Sequence, residues 1–294
     1  MCTANDMFKE AAIIQLTATC WHIDKILPVT LIDEKLNAEY IKVRKKILDP
    51  EALALVKEHA GKARNYLRGI ALPFPINGCM LVPKKLIPQV EKELKALQWK
   101  YNSAVEDFIR WLPASIKDAK ALLGELFDEM DYPTPEKAKR KFRFEWRYIV
   151  IGQVNSKVLP PSLYQEEVNK FRNLMEQART EAIASLRGEF VDLIANLNDK
   201  LTGSPDGKPK RLRDAAVENL HQFLDQFQNR NMFKDDQLAE LVERCRGIIT
   251  GVSADNIRNS IHVKQELHNQ MQSLLETIDA TLEDLPRRKI RMAA

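Results

Sequence analysis

At 294 residues the chain is long enough for one large domain or two smaller ones, either with a sizeable core. Hydrophobic residues at 45%, charged residues at 29% and only 10 Gly fit a globular protein and argue against a loop-rich or sandwich fold. The 45 basic and 41 acidic residues leave a net charge of +4, too near balance for the basic footprint of a dedicated nucleic-acid binder.

Residues 11–22 are rich in β-branched side chains and alternate at Ile14, Leu16 and Cys20, which predicts a strand. Asp33 is placed as the cap of a helix with apolar positions Leu36, Tyr40, Val43 and Ile47. Asp49-Pro50-Glu51 combines a cap, a first-turn proline and a first-turn acid, so a helix is expected from there to about Ile70. Pro73 and Pro75 stop it, and residues 79–82 form a second strand candidate.

From Ile87 the pattern is a heptad. Ile87, Leu94, Tyr101 and Phe108 hold one seam position, and Val90, Leu97, Ala104 and Trp111 hold the other. The large aromatics suit packing inside the protomer, against the 50–70 helix and the sheet, so a monomer is expected. Pro113 should end this helix, with a shorter one over residues 115–130. Pro133 and Pro135 mark the best boundary, dividing a helical region with short strands (1–135) from an aromatic strand and long-helix bundle (136–294). Phe142, Phe144, Trp146, Tyr148 and Val150 alternate as on a strand. Trp21, Trp99, Trp111 and Trp146 are read as core.

The longest helical pattern runs over residues 161–201. Its stripe includes Tyr164, Val168, Phe171, Met175, Ala178, Ala182, Leu186, Phe190, Leu193, Leu197 and Leu201. Steps of three and four over roughly 40 residues give a helix of about 60 Å. After the turn-rich LTGSPDGKPK, helices are expected at 212–228, 235–249 and 254–285. The last carries Val263, Leu267, Met271, Leu274, Ile278, Leu282 and Leu285, a rhythm near 3.67 residues per turn shared with the end of the long helix. These two helices should lie side by side. The fold class is mainly α: a long-helix bundle with a small β-sheet.

Few residues nominate chemistry. Gly203 to Lys208 superficially resembles a phosphate loop, but it is one residue short between glycines, Pro209 replaces the Ser or Thr, and a helix precedes it. Glu218 and His221 have the Glu-x-x-His spacing of di-iron bundles and are weak metal candidates, because no second such motif occurs. His262 and Glu266 are one turn apart, a spacing common at surfaces. The five histidines accompany no nucleophile elbow or zinc signature. No catalytic residue, cofactor or metal is therefore assigned, and the chain is read as leaning away from catalysis. The basic cluster Lys139, Arg140, Lys141, Arg143 and Arg147 alternates with the aromatics of the 142–150 strand and is the nucleic-acid-binding alternative. If the aromatics face the core, the charges simply meet water. Arg287, Arg288, Lys289 and Arg291 form a second basic cluster, read as helix-end charge compensation.

Cys2, Cys20, Cys79 and Cys245 are scattered without a Cys-x-x-Cys pair, which argues against structural zinc. The opening MCTANDMFKE lacks a signal-peptide layout, and no apolar run approaches the roughly 20 residues that cross a bilayer. A cytoplasmic protein with reduced thiols and no membrane partner is expected.

The segments TATCWHIDKIL, GCMLVPKKLIPQV, DYPTPEKAKRKFRFEW, NRNMFKDDQLAELV and PRRKIRM follow one another in the order of an uncharacterised bacterial family, one of the domains of unknown function. The chain resembles that family over most of its length. The resemblance implies a largely helical fold. It also implies bacterial, phage or mobile-element settings, in places near genes for MoxR-type AAA+ ATPases and von Willebrand A-domain proteins. An accessory role with such a protein partner follows as an expectation, and no catalytic residues come with it. The leading reading is a non-enzymatic interaction or scaffold protein. The alternatives are a nucleic-acid-binding accessory protein and, next, a hydrolase with a non-local site.

Overall fold

The computed structural model describes residues 10–28, 39–149, 151, 160–202 and 212–281. Its strands are β1 (Ala11–Thr19), β2 (Asp24–Leu27), β3 (Val43–Lys46), β4 (Leu72–Pro73), β5 (Cys79–Pro83) and β6 (Arg143–Ile149). Its helices are α1 (Ala54–Ile70), α2 (Ile87–Leu123), α3 (Pro135–Lys139), α4 (Pro161–Leu201), α5 (Asp214–Arg230), α6 (Asp236–Ile249), α7 (Ala254–Asn259) and α8 (Ile261–Thr281). The fold is mainly helical with a small antiparallel β component. Two compact units are drawn from residues 1–13, 70–86 and 149–294, and from residues 14–69 and 87–148.

The first unit is built on α4, whose span matches the predicted 161–201. Its buried stripe starts at Met175 and continues through Ala178, Ala182, Leu186, Phe190, Ile194, Leu197 and Leu201. Ile194 takes the place expected of Leu193, which sits half-buried at the flank, as does Phe171 nearer the start. α5 and α8 both lie along this stripe. Phe190 stacks on Phe223 of α5, with centroids 5.5 Å apart. From α8, Leu267, Met271, Leu274 and Ile278 are buried in the same core. The expected side-by-side long helices are therefore present. Asn198 ties them polarly: its Nδ2 donates to Gln272 Oε1 at 2.9 Å, and His268 Nδ1 donates to its Oδ1 at 2.7 Å.

The single helix expected from 254 is two. Ser260 adopts an extended backbone (φ −133°, ψ 113°), and its hydroxyl accepts from the Val263 N–H at 3.3 Å. A serine that can cap a new helix competes with continuing the old one, and the apolar rhythm hid this. Val263 is consequently only half-buried, and residues 282–285 lie outside the described residues.

The turn between α5 and α6 is held by charge. Asp235 caps α6 by accepting from Leu238 N at 3.1 Å and also receives Arg187 of α4 at 2.5 and 2.8 Å. In the same unit β4 pairs antiparallel with β5, Leu72 opposite Leu81 and Pro73 opposite Met80. Pro73 is tolerated because β4 is the edge strand in the order β4-β5-β1. Ala11 and Ile13 of β1 are buried in the same core.

In the second unit β1 continues from Ile14 and neighbours β6. Val43 and Ile47, placed by their spacing on a helix, are not helical. Val43–Lys46 is β3, paired antiparallel with β2 so that Leu27 faces Val43 and Asp24 faces Lys46. Four apolar residues at helical spacing are a weak local signal, and pairing with a strand distant in sequence overrides it. Asp33 and Leu36 lie outside the described residues, and Tyr40 is exposed in a turn. Asp49 caps its helix as expected, accepting from Glu51 N at 3.0 Å, with one 3-10 turn (Pro50–Leu53) before α1.

Pro113 does not end α2, which runs on to Leu123. The proline ring is on the exposed side, so the break costs one backbone bond, and the Ser115 hydroxyl donates to the Trp111 carbonyl at 3.2 Å. Gly124, at φ 51°, ends the helix instead, and short 3-10 turns replace the rest of the 115–130 helix. The seam expectation holds through Phe108 and then fails: Leu112 is fully buried and Trp111 is 66% exposed. A straight helix drifts by about 20° per heptad from a strict seven-residue repeat, which moves burial from 111 to 112.

Candidate functional site

The cleft with the most chemistry in the second unit lies where β1 ends. Two side chains hold this stretch from below. Tyr101 of α2 donates its hydroxyl to the Thr19 carbonyl, and Arg64 of α1 donates to the Ala18 carbonyl. The following residues, Cys20 to Asp24, pass over α1 and enclose a cleft of about 350 Å3. Lys57 and Arg64 line it from one face of α1, two turns apart, with the methyl of Ala60 between them. Trp21 is buried, its ring edge-on to Phe108 at 6.1 Å and with Lys141 Nζ 6.0 Å from its centroid. Cys20 is half-buried in the wall. Burial pushes its thiol up, against the pull of the Arg64 and Lys57 charges and of the Tyr101 hydroxyl. It is a protonated thiol at neutral pH and not a pre-activated nucleophile.

Lys139, Arg140, Lys141, Arg143 and Arg147 are all exposed, along the end of α3 and the outer face of β6. Phe142, Phe144 and Trp146 among the interleaved aromatics turn inward, whereas Tyr148 is 38% exposed. Phe142 packs on Phe108 at 5.5 Å, and Phe144 on Tyr101 at 5.2 Å. Trp146 donates its indole N–H to Glu91 at 2.6 Å. That bond is the chief reason the Glu91 carboxyl is held below its usual range. Glu145 stands between Arg143 and Arg147 at 3.6 and 3.9 Å, and Glu106 is 3.7 Å from Lys139. The cations are thus available to a partner, but these aromatics are not placed to stack on bases.

Glu218 is exposed and His221 half-buried on α5, and among the described residues no group of three or more His, Cys, Asp or Glu could hold a metal ion. His262 and Glu266, 3.7 Å apart, form an exposed pair. The Gly203–Lys208 motif and the basic cluster at Arg287–Arg291 lie outside the described residues.

A further surface escaped the sequence reading. Trp99 and Trp111, expected in the core, are 72% and 66% exposed, while Trp146 is half-buried. Leu122 is 85% exposed. Trp111 and Leu122 are three turns apart, so they share one face of α2, on the side away from the buried Leu112 and Ala119. The one-residue offset of Trp111 from Leu112 in the drifting stripe was the signal that could have placed it outside.

No described helix is long and apolar enough to cross a membrane. No curated protein and no solved structure matches the chain. One family matches residues 9–242, and its description is Protein of unknown function (DUF3150). The match covers most of the chain, from β1 into α6, including the cleft over α1, the basic strand and the exposed face of α2, and the chain belongs to this family.

Proposed function

We infer that this chain is a non-enzymatic interaction protein, a helical scaffold or adaptor that engages a protein partner through the outer face of α2. The observation that carries this reading is the pair Trp111 and Leu122, which leave large apolar surface in water on one helix face. Such surface costs solubility unless something covers it, and aromatic side chains dominate the energetics of protein contacts. The first partner class to test is a MoxR-type AAA+ ATPase or a von Willebrand A-domain protein, on the resemblance to a family encoded near such genes. A phage or mobile-element setting belongs to the same reading.

The test is direct binding of the purified chain to a purified ATPase and a purified A-domain protein, by calorimetry. A complex weakened at least about tenfold in Trp111→Ser/Leu122→Ser fits an anchor worth more than 1 kcal/mol. Equal affinity of the variant, or no binding to either protein, overturns the assignment. A second reading, nucleic-acid binding, is favoured by the five exposed cations from Lys139 to Arg147. It requires affinity that falls steeply with salt and is lost in Arg143→Gln/Arg147→Gln.

A further inference from the structure

Going beyond that reading, we propose that the cleft over α1 is a binding site for a small anion carrying a carboxylate or phosphate group, gripped by Lys57 and Arg64 beside the Cys20 thiol. The cleft is roomy enough for a small organic molecule, about 350 Å3, within the size range of ligand cavities. Its floor is Ala60, whose short side chain leaves room between the two cations. Among the described residues Lys57 has no ion-pair partner, although acidic residues neutralise many other lysines of the chain.

Arg64 is only partly used. One terminal nitrogen is spent on the Ala18 carbonyl, which fixes the guanidinium at the wall. Its remaining N–H groups are donors with the fork geometry that suits carboxylate and phosphate oxygens. The one acid in the lining, Asp24, is exposed at the start of β2 and faces Lys46 across the hairpin. The field inside therefore favours negative charge, and low-dielectric walls such as Trp21 strengthen it. Cys20 lies within the electrostatic reach of both cations, so a bound anion covers the thiol.

That last point supplies the measurement. Iodoacetamide alkylates a cysteine when the thiolate sulfur attacks its methylene carbon: an S–C bond forms, iodide leaves, and the thiol proton goes to solvent. Among the described cysteines Cys79 and Cys245 are buried, so the Cys20 peptide can be followed by mass spectrometry in the intact chain. Inorganic phosphate and succinate are titrated separately, against potassium chloride of equal ionic strength. The expected result is saturable protection by at least one of them, and which one protects identifies the anionic group. Lys57 is exposed and its loss spares the Arg64–Ala18 anchor, so Lys57→Gln should fold. Removing one charge-assisted contact should raise the concentration for half-protection by about tenfold. Circular dichroism checks the fold of the variant. Protection no greater than that given by potassium chloride, or equal protection of folded Lys57→Gln, overturns the proposal.

Discussion

Arg230 lies 1% exposed at the end of α5 and forks onto Glu189 of the long helix, with N–O distances of 2.9 and 2.5 Å. The guanidinium also sits 5.7 Å from the Phe223 ring. The two charges are unequally wet, because the Glu189 side chain keeps about a third of its exposure. Removing the acid therefore strands a cation that water cannot reach. Glu189→Ala should cost about 3 kcal/mol, the low end for a broken buried pair. The double change Glu189→Leu/Arg230→Met should recover most of it. Urea unfolding of the three proteins checks this, and a single variant as stable as the parent would contradict it.

The α4–α8 seam is the second place where stability is concentrated. Leu274 is fully buried there, so Leu274→Ala should lower stability by about 2–5 kcal/mol. Ile261, at the start of the same helix, is 79% exposed and serves as the control. Its change to Ala should stay within about 0.5 kcal/mol.

Acid should loosen the α5–α6 turn through Asp235. Burial by itself raises that carboxyl, but the Arg187 fork and the Leu238 N–H outweigh it and hold it below its usual value. A carboxylate depressed in the folded state stabilises the fold above the unfolded pKa, near 3.9, and this contribution fades as pH falls through the lower folded pKa. The urea midpoint should accordingly decline below about pH 4. Asp235→Asn should be less stable at neutral pH and show a shallower acid decline. Parallel pH profiles for the two proteins would remove Asp235 from the account.

Exposure of the α2 face predicts a dissociation between stability and binding. Trp111→Ser/Leu122→Ser should keep the parent's urea midpoint within about 0.5 kcal/mol, because the core does not use those side chains. Light scattering should find both proteins monomeric at micromolar concentration. A large loss of stability would mean that the face packs within the chain after all.

The sequence announced its long helices because α4 repeats its apolar step over many turns without a competing signal. Phe190, Leu197, Leu267 and Leu274 were all legible as seam residues for that reason. What escaped was decided by single residues. Ser260 restarts a helix by its hydroxyl, Pro113 is carried because its ring faces water, and Val43 follows a strand partner 16 residues away. The basic run from Lys139 was legible as a surface, and its strict alternation with Phe142 and Phe144 is the signal for their inward turn. The cleft was not legible. Cys20, Lys57 and Arg64 meet through tertiary packing, and no local spacing links a β1–β2 connection to two turns of α1.

The stretch shared with the family stops at residue 242, midway along α6, yet the fold does not stop there. All of α8 lies beyond it, and α8 shares the core of Phe190 and Leu197, accepting one hydrogen bond from the Asn198 amide through Gln272 and donating the other to it through His268. The matched stretch and the compact unit built on α4 thus have different edges. An excised 9–242 piece would bare a long greasy groove along α4, bind a hydrophobic dye and self-associate. A well-behaved, cooperatively melting 9–242 fragment would show that the groove can close without α8.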